Sequence, residues 1–214
     1  MRLAELSERS GVPIATIKYY LREGLLAPGR QINARTAEYD EEHLRRLRLV
    51  RAMIQVGRIP VATVREVLGH VDDDSMGRAL RLGAAMWALP QVPEPDEDDE
   101  YVRAAHQEAS ALLDRLGWEN AKRLSTISPA YRSLVVAVAA FRRLGYGFGA
   151  ELLVPYAELM HRTAVLDLDN METQPSEEER IEWAILGAII NEPILQALHR
   201  LAQEEETTRR YGFE

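Results

Sequence analysis

Thr16, Lys18, Tyr19 and Arg22 fall within one short stretch, Val12-Pro-Ile-Ala-Thr-Ile-Lys-Tyr-Tyr-Leu-Arg-Glu-Gly-Leu-Leu26, and Arg30 and Arg35 follow in a turn-rich segment that ends at Tyr39. Ammonium and guanidinium groups at this density suit a polyanion, because each phosphate they neutralise releases a counterion. A basic helix with two adjacent tyrosines, followed at once by an arginine-bearing loop, is the layout with which a small domain grips a DNA duplex. Double-stranded DNA is therefore the expected partner.

Other groupings could in principle do chemistry. Glu158-Leu-Met-His161 has the Glu-x-x-His spacing of helical di-iron sites, but such a site needs a second pair, and none is present. It reads as a surface or core-edge pair. Gly145-Tyr-Gly-Phe-Gly149 imitates a phosphate loop, yet it follows a helical pattern and lacks the lysine and hydroxyl that would hold phosphate and magnesium, so an interhelical turn is expected. His106, His161 and His199 are too scattered for metal-ligand spacing, and no acid-base or nucleophile set can be assembled. The expectation is a protein that is not an enzyme, with no cofactor and no metal.

The elements that must position the basic residues can be read locally. Leu3 to Ser10 reads as a short helix with Leu3 and Leu6 inward and Gly11 as its stop. Pro13 suits the first turn of the next helix, whose Ile14, Ile17 and Leu21 repeat as a buried stripe, leaving Ala15, Thr16, Lys18, Tyr19 and Arg22 outside. Tyr20 adjoins that stripe and reads as a core aromatic, with a DNA contact as the alternative. Gly24 stops the helix, and Leu25 and Leu26 fold back onto the core. Residues 29 to 39 suit a small β-ribbon or loop, a wing. Asp40 is a good N-cap for a helix carrying Leu44, Leu47, Val50 and Ile54 on one face and ending near Gly57, and a further helix runs from Val61 to Leu68.

The formal charge of −8 averages two unlike parts. Residues 1 to 70 hold 12 Lys and Arg against 8 Asp and Glu, a net of +4, and the remainder holds 14 against 26, a net of −12. Only the first part suits DNA. A helix is expected within 72 to 89. Pro90 to Glu100 then combines three prolines with six acidic residues and reads as a solvated linker.

Downstream, helices are expected at Tyr101 to Leu116, Pro129 to Leu144, Gly149 to Leu166, Ser176 to Asn191 and Pro193 to Glu206. The fold class is thus all-α, mainly helical with a small β-wing. The domain division expected is 1–70 for DNA binding, 71–100 for a connecting helix and linker, and 101–214 for a helical effector-binding or dimerisation domain. Tyr131, Phe141, Tyr146, Phe148 and Tyr156 could line an apolar effector pocket there, with ordinary core packing as the alternative. No unbroken apolar run approaches the roughly 20 residues of a membrane span, the amino terminus lacks a signal-peptide layout, and the chain has no cysteine. A cytoplasmic protein with no membrane partner is expected.

Residues 3 to 68 resemble the DNA-binding domain of MerR-family transcriptional regulators. Leu3-Ala-Glu-Leu6, Gly11-Val12, Thr16-Ile17, Tyr19-Tyr20, Glu23-Gly-Leu-Leu26, Tyr39-Asp40, Leu44 and the Arg45-to-Leu49 run stand in the order that family uses. The resemblance implies a winged helix-turn-helix in which Thr16, Lys18, Tyr19 and Arg22 face the major groove or its phosphates, while Arg30, Arg35 and Tyr39 brace the wing on the flanking backbone. It further implies a homodimer on an inverted-repeat operator, changing promoter shape for RNA polymerase under control of a small-molecule effector.

The sequence departs from the family at Ala15 and Lys18, where arginines are common, and at Arg35-Thr-Ala-Glu38, where a Gly-Tyr-Arg wing signature is usual. The long dimer helix that normally follows is also weak. Residues 188–202 are loosely similar in layout to the helical ligand-binding and dimerising domains of TetR-type regulators. An effector-independent adaptor whose helical domain recruits a protein is the alternative function.

Overall fold

The computed structural model describes residues 1–33, 36–73, 75–147 and 149–212. Two compact units are present, Met1–Leu89 with Met171–Glu214, and Pro90–Asn170. This division differs from the one expected: the last helix belongs with the amino-terminal unit, and the helical unit is inserted between two segments of it.

In the first unit, α1 (Leu3–Ser10) ends at Gly11, whose φ of 66° is a conformation that only glycine adopts cheaply. Ser7 Oγ donates to the Val12 carbonyl at 2.6 Å across that turn, and α2 (Ile14–Arg22) follows at once behind Pro13. The wing is a two-stranded antiparallel ribbon, β1 (Arg30–Asn33) and β2 (Thr36–Glu38), with Arg30 opposite Glu38, Gln31 opposite Ala37 and an irregularity between Gln31 and Asn33.

Helix α3 (Glu41–Arg51) starts at Asp40, whose carboxylate accepts from the His43 backbone N–H at 3.1 Å. The His43 ring folds back over the same cap, its Nδ1 donating to the Asp40 carboxylate at 2.6 Å, with histidine where a capping box usually has glutamate. The helix passes into a π-helical turn, Ala52–Val56, before Gly57, and Arg58 takes a φ of 52°. Helices α4 (Val61–Val71) and α5 (Arg78–Trp87) follow. The connecting helix is shorter than its expected span, 72 to 89, because the chain turns at Asp73, which accepts from Ser75 N–H at 3.0 Å.

The core holds Leu6, Ile17, Leu25, Leu44, Leu47, Met53, Val64 and Val67, all almost wholly buried. It also holds Ile181, Ile185 and Ile189 from the far end of the sequence. These belong to the final helix, Glu177–Tyr211, which is continuous through Pro193. Two helices and a turn were expected there, in a TetR-like layout. Proline removes one backbone hydrogen bond, and the strong helix formers from Leu195 to Glu206 carry the helix past it. This helix is long and apolar enough, by length and composition alone, to cross a bilayer, but its isoleucines serve the core instead.

In the second unit, α6 (Glu100–Leu116) packs Val102, Ala105, Ala109 and Leu112 against Val135, Val138 and Ala139 of α8 (Pro129–Arg143), with the short α7 (Glu119–Arg123) between them in sequence. Helix α9 (Ala150–Glu172) adds Ala150 and Leu153 to this core, and the final helix is therefore α10. Three residues of the acidic stretch are not free in solvent as the linker reading expects. Glu94 lies 3.5 Å from Arg132, Glu97 lies 3.2 Å from His106, and Asp99 pairs with Arg143 while capping α6.

Candidate nucleic-acid interface

Helix α2 turns about 100° per residue, which sorts its side chains into two faces. Ile17 and Tyr20 are buried, Thr16 and Leu21 are half-buried at the edges, and Ile14, Ala15, Lys18, Tyr19 and Arg22 are exposed. Ile14, Lys18 and Arg22 form one column four residues apart, with Ala15 and Tyr19 in the next. Neither Lys18 nor Arg22 has an acidic partner among the described residues. The expected outward set is thus present, with Thr16 at its margin. Ile14 is a correction: expected in the buried stripe, it is 40 % exposed, because Ile17 and Tyr20 supply the inward contacts of this short helix.

The surroundings hold α2 in place. Arg65 of α4 donates to the Glu23 carbonyl at 2.9 Å and pairs with the Glu23 carboxylate, fixing the end of α2. Arg51 donates to the Ser10 carbonyl at 3.2 Å, serving the last turn of α1. Arg9 grips Glu41 through two bonds of 2.5 and 2.9 Å, and this bond, more than general charge, holds the Glu41 carboxyl below its ordinary range. Asp40 is likewise held low, chiefly by its bond to the His43 side chain. Burial pushes the Tyr20 phenol up, consistent with a core position.

In the wing, Arg30 is 80 % exposed and pairs with Glu38 at 2.6 Å. Arg35 lies outside the described residues. Tyr39 is only 7 % exposed, so the surface role expected of it gives way to an internal one. Its ring meets His43 edge-on at 5.2 Å and presses against Gly29, and its backbone pairs with Met1, through Tyr39 N–H to the Met1 carbonyl at 2.8 Å and the terminal ammonium to the Tyr39 carbonyl at 2.6 Å. Tyr39 thus anchors the base of the wing from inside.

Of the aromatic residues expected around an effector, Tyr131 is half-buried and donates to the His106 carbonyl at 3.3 Å, while Phe141, Tyr146 and Tyr156 are exposed. Phe148 lies outside the described residues. Tyr146 shares an open cleft of about 370 Å3 with Tyr101, Ala104 and Arg142. His161 meets the Trp118 ring at 5.9 Å, and among the described residues no three metal-ligating side chains converge.

Sequence reasoning missed the support that α10 gives to this unit. Glu182 sits beside Arg45 and Arg46, and burial raises its carboxyl above the ordinary range against the pull of those two arginines. Arg45 lies 3.8 Å from Glu179, and Arg46 pairs with Asp72. The signal available in the sequence was the isoleucine repeat at 181, 185 and 189, which marks a buried face without naming what covers it.

Three comparisons bear on this arrangement. Residues 1–70 match the model of the MerR HTH family regulatory proteins. Over 50 residues the chain is 34 % identical to the HTH-type transcriptional regulator ZntR homolog of Haemophilus influenzae, a match spanning 23 % of this chain and 37 % of that protein. The crystal structure of SCO5550, a candidate transcriptional regulator from Streptomyces coelicolor A3(2), is similar over 100 % of this chain and 99 % of its own, with 64 % identity and a TM-score of 0.87. The chain belongs to the MerR family of helix-turn-helix regulatory proteins, and so to the DNA-binding transcription regulators.

Proposed function

We propose that the chain is a dimeric, cytoplasmic, one-component regulator that binds an inverted-repeat operator within a promoter, where RNA polymerase is its neighbour. The exposed face of α2 enters the major groove, with Lys18, Tyr19, Arg22 and the edge residue Thr16 as contacts, while Arg30 on the wing, together with Arg35, holds the flanking phosphates and Tyr39 sets the wing's position. The observation that carries this reading is the pair of exposed cations, Lys18 and Arg22, without an acidic partner among the described residues and on the one face of α2 that the core leaves free. Phosphate contacts of this kind dominate affinity and orient the domain.

A dimer is supported by α10. Its proximal half turns Ile181, Ile185 and Ile189 inward, whereas Ile194, Leu198 and Leu201 beyond Pro193 are at least half-exposed on the opposite side of the helix. A second copy would cover that stripe. The inserted helical unit is the place for a small-molecule effector, and the cleft between Tyr101 and Tyr146, beside α6 and α8, is a concavity that could receive one.

The exposed apolar side chains of the helical unit, Leu144 and Tyr156 among them, favour a second reading, in which that unit recruits a protein and binds no small molecule. Mobility-shift and footprinting assays on the promoter of the chain's own operon test the first part. Two protected half-sites on one face of the duplex are expected, and the absence of sequence-selective, salt-sensitive binding there or on genomic fragments would sink both readings.

A further inference from the structure

The exposed face of α2 is chemically uneven. At its start stand Ile14 and Ala15, both apolar, with Ile14 40 % exposed although three other large residues of the same helix pack inward or half-inward. The ends of the polar columns, Lys18, Tyr19 and Arg22, come later. Among the described residues, Ile14 is not part of the hydrophobic core of the first unit. In helix-turn-helix docking it is the first turn of the recognition helix that reaches base edges. Its exposed residues, Ile14 and Ala15, offer guanine, cytosine and adenine no side-chain donor or acceptor, and the only polar side chain of that turn, Thr16, stands half-buried at the edge of the face. The one apolar group on a base edge in the major groove is the C5 methyl of thymine.

We infer that this chain reads thymine methyl groups through Ile14 and Ala15, and that its operator half-site carries thymines where the first turn of α2 meets the groove. The occupant of this apolar patch is DNA because Lys18 and Arg22 continue the same face with positive charge that no acidic side chain among the described residues pairs. The residues thus divide the work: cations hold the phosphates, and methyl-bearing side chains select the base. The inference rests on the DNA-binding reading above and adds a base preference to it.

The test begins with selection of binding sites from a random duplex pool by the full-length chain. Thymines of the selected half-site are then replaced one at a time by uracil, which removes only the methyl. One or two positions are expected to lose about fourfold in affinity each, the equivalent of one methylene group returned to water. In Ile14→Ala or Ala15→Ser proteins the penalty at the matching position should vanish. Both substitutions are at exposed sites, and unchanged thermal unfolding of the variants shows that the fold is intact. As a second readout, Ala15→Arg places a bidentate donor in the first turn and should move the selected base from thymine toward guanine.

Selective binding that is indifferent to uracil at every position would overturn this inference and leave the DNA-binding reading standing. So would a methyl penalty that persists in both variants, since the contact would then come from elsewhere. Failure to select any site would overturn both.

Discussion

Ile189 of α10 lies directly against Gly57, the residue that closes the π-helical turn after α3. A Cβ built on Gly57 would stand 2.7 Å from Ile189 Cγ2 and 2.9 Å from the Met53 carbonyl oxygen. The backbone of Gly57 is ordinary, with φ at −73°, so the requirement for glycine here is one of space. Gly57→Ala is expected to cost about 1–3 kcal/mol through overpacking. Ile189→Ala should cost about 2–5 kcal/mol by emptying a buried site. Because the two share a contact, the double variant should be less destabilised than their sum. Urea unfolding of the four proteins checks this, and strict additivity would mean that α10 and the π-turn do not press on one another.

A second prediction concerns Glu182. Its folded-state pKa is raised, chiefly by burial. The folded state therefore keeps a proton that the unfolded chain releases near pH 4.3, roughly the free glutamate value. Stability from this group falls as pH rises through the raised value, so Glu182→Gln should raise the melting temperature at pH 7 and lose its advantage below about pH 4. Asp40 and Glu41 run the other way, since both are held low by their hydrogen bonds to His43 and Arg9. Their contribution is present above the free carboxylate range and is lost as pH falls through their lowered values. Arg9→Ala should therefore flatten the acid limb of the pH-stability curve, and an unchanged limb would remove that pair from the explanation.

Dimerisation through the distal half of α10 gives a third expectation. Leu198→Arg together with Leu201→Arg puts two charges into the stripe that a second copy would bury, while leaving Ile181, Ile185 and Ile189 in the core. Sedimentation should then report monomers that retain native melting and bind an operator with half-site affinity. A dimer that survives both charges would move the interface elsewhere.

How much of this was legible in the sequence depended on range. Gly11, Gly24, Asp40 and the wing act on neighbours a few residues away, and their roles follow from the turn and cap chemistry of single residues. Tyr20 could be assigned inward because its helix has only one stripe to share. Ile14 could not, because in a helix of 9 residues Ile17, Tyr20 and Leu21 already meet the core and a fourth large side chain, at the start, is left over. The internal place of Tyr39 depends on Gly29 and the amino terminus closing around it, a meeting that no local pattern encodes. The isoleucines of α10 announce that they are buried, but their partner, a core more than a hundred residues earlier, is settled only by the tertiary fold.

The exposed cations of α2 give the most direct test. Equilibrium binding of the full-length chain to a selected duplex should be measured over a range of salt concentrations, for the natural protein and for Lys18→Ala and Arg22→Ala. Each phosphate contact contributes roughly 0.9 to the slope of log affinity against log salt. Each substitution should weaken binding across all sequences and lower that slope by about 1, with thermal stability unchanged. If both variants bind with the natural affinity and slope, α2 is not the helix that holds DNA.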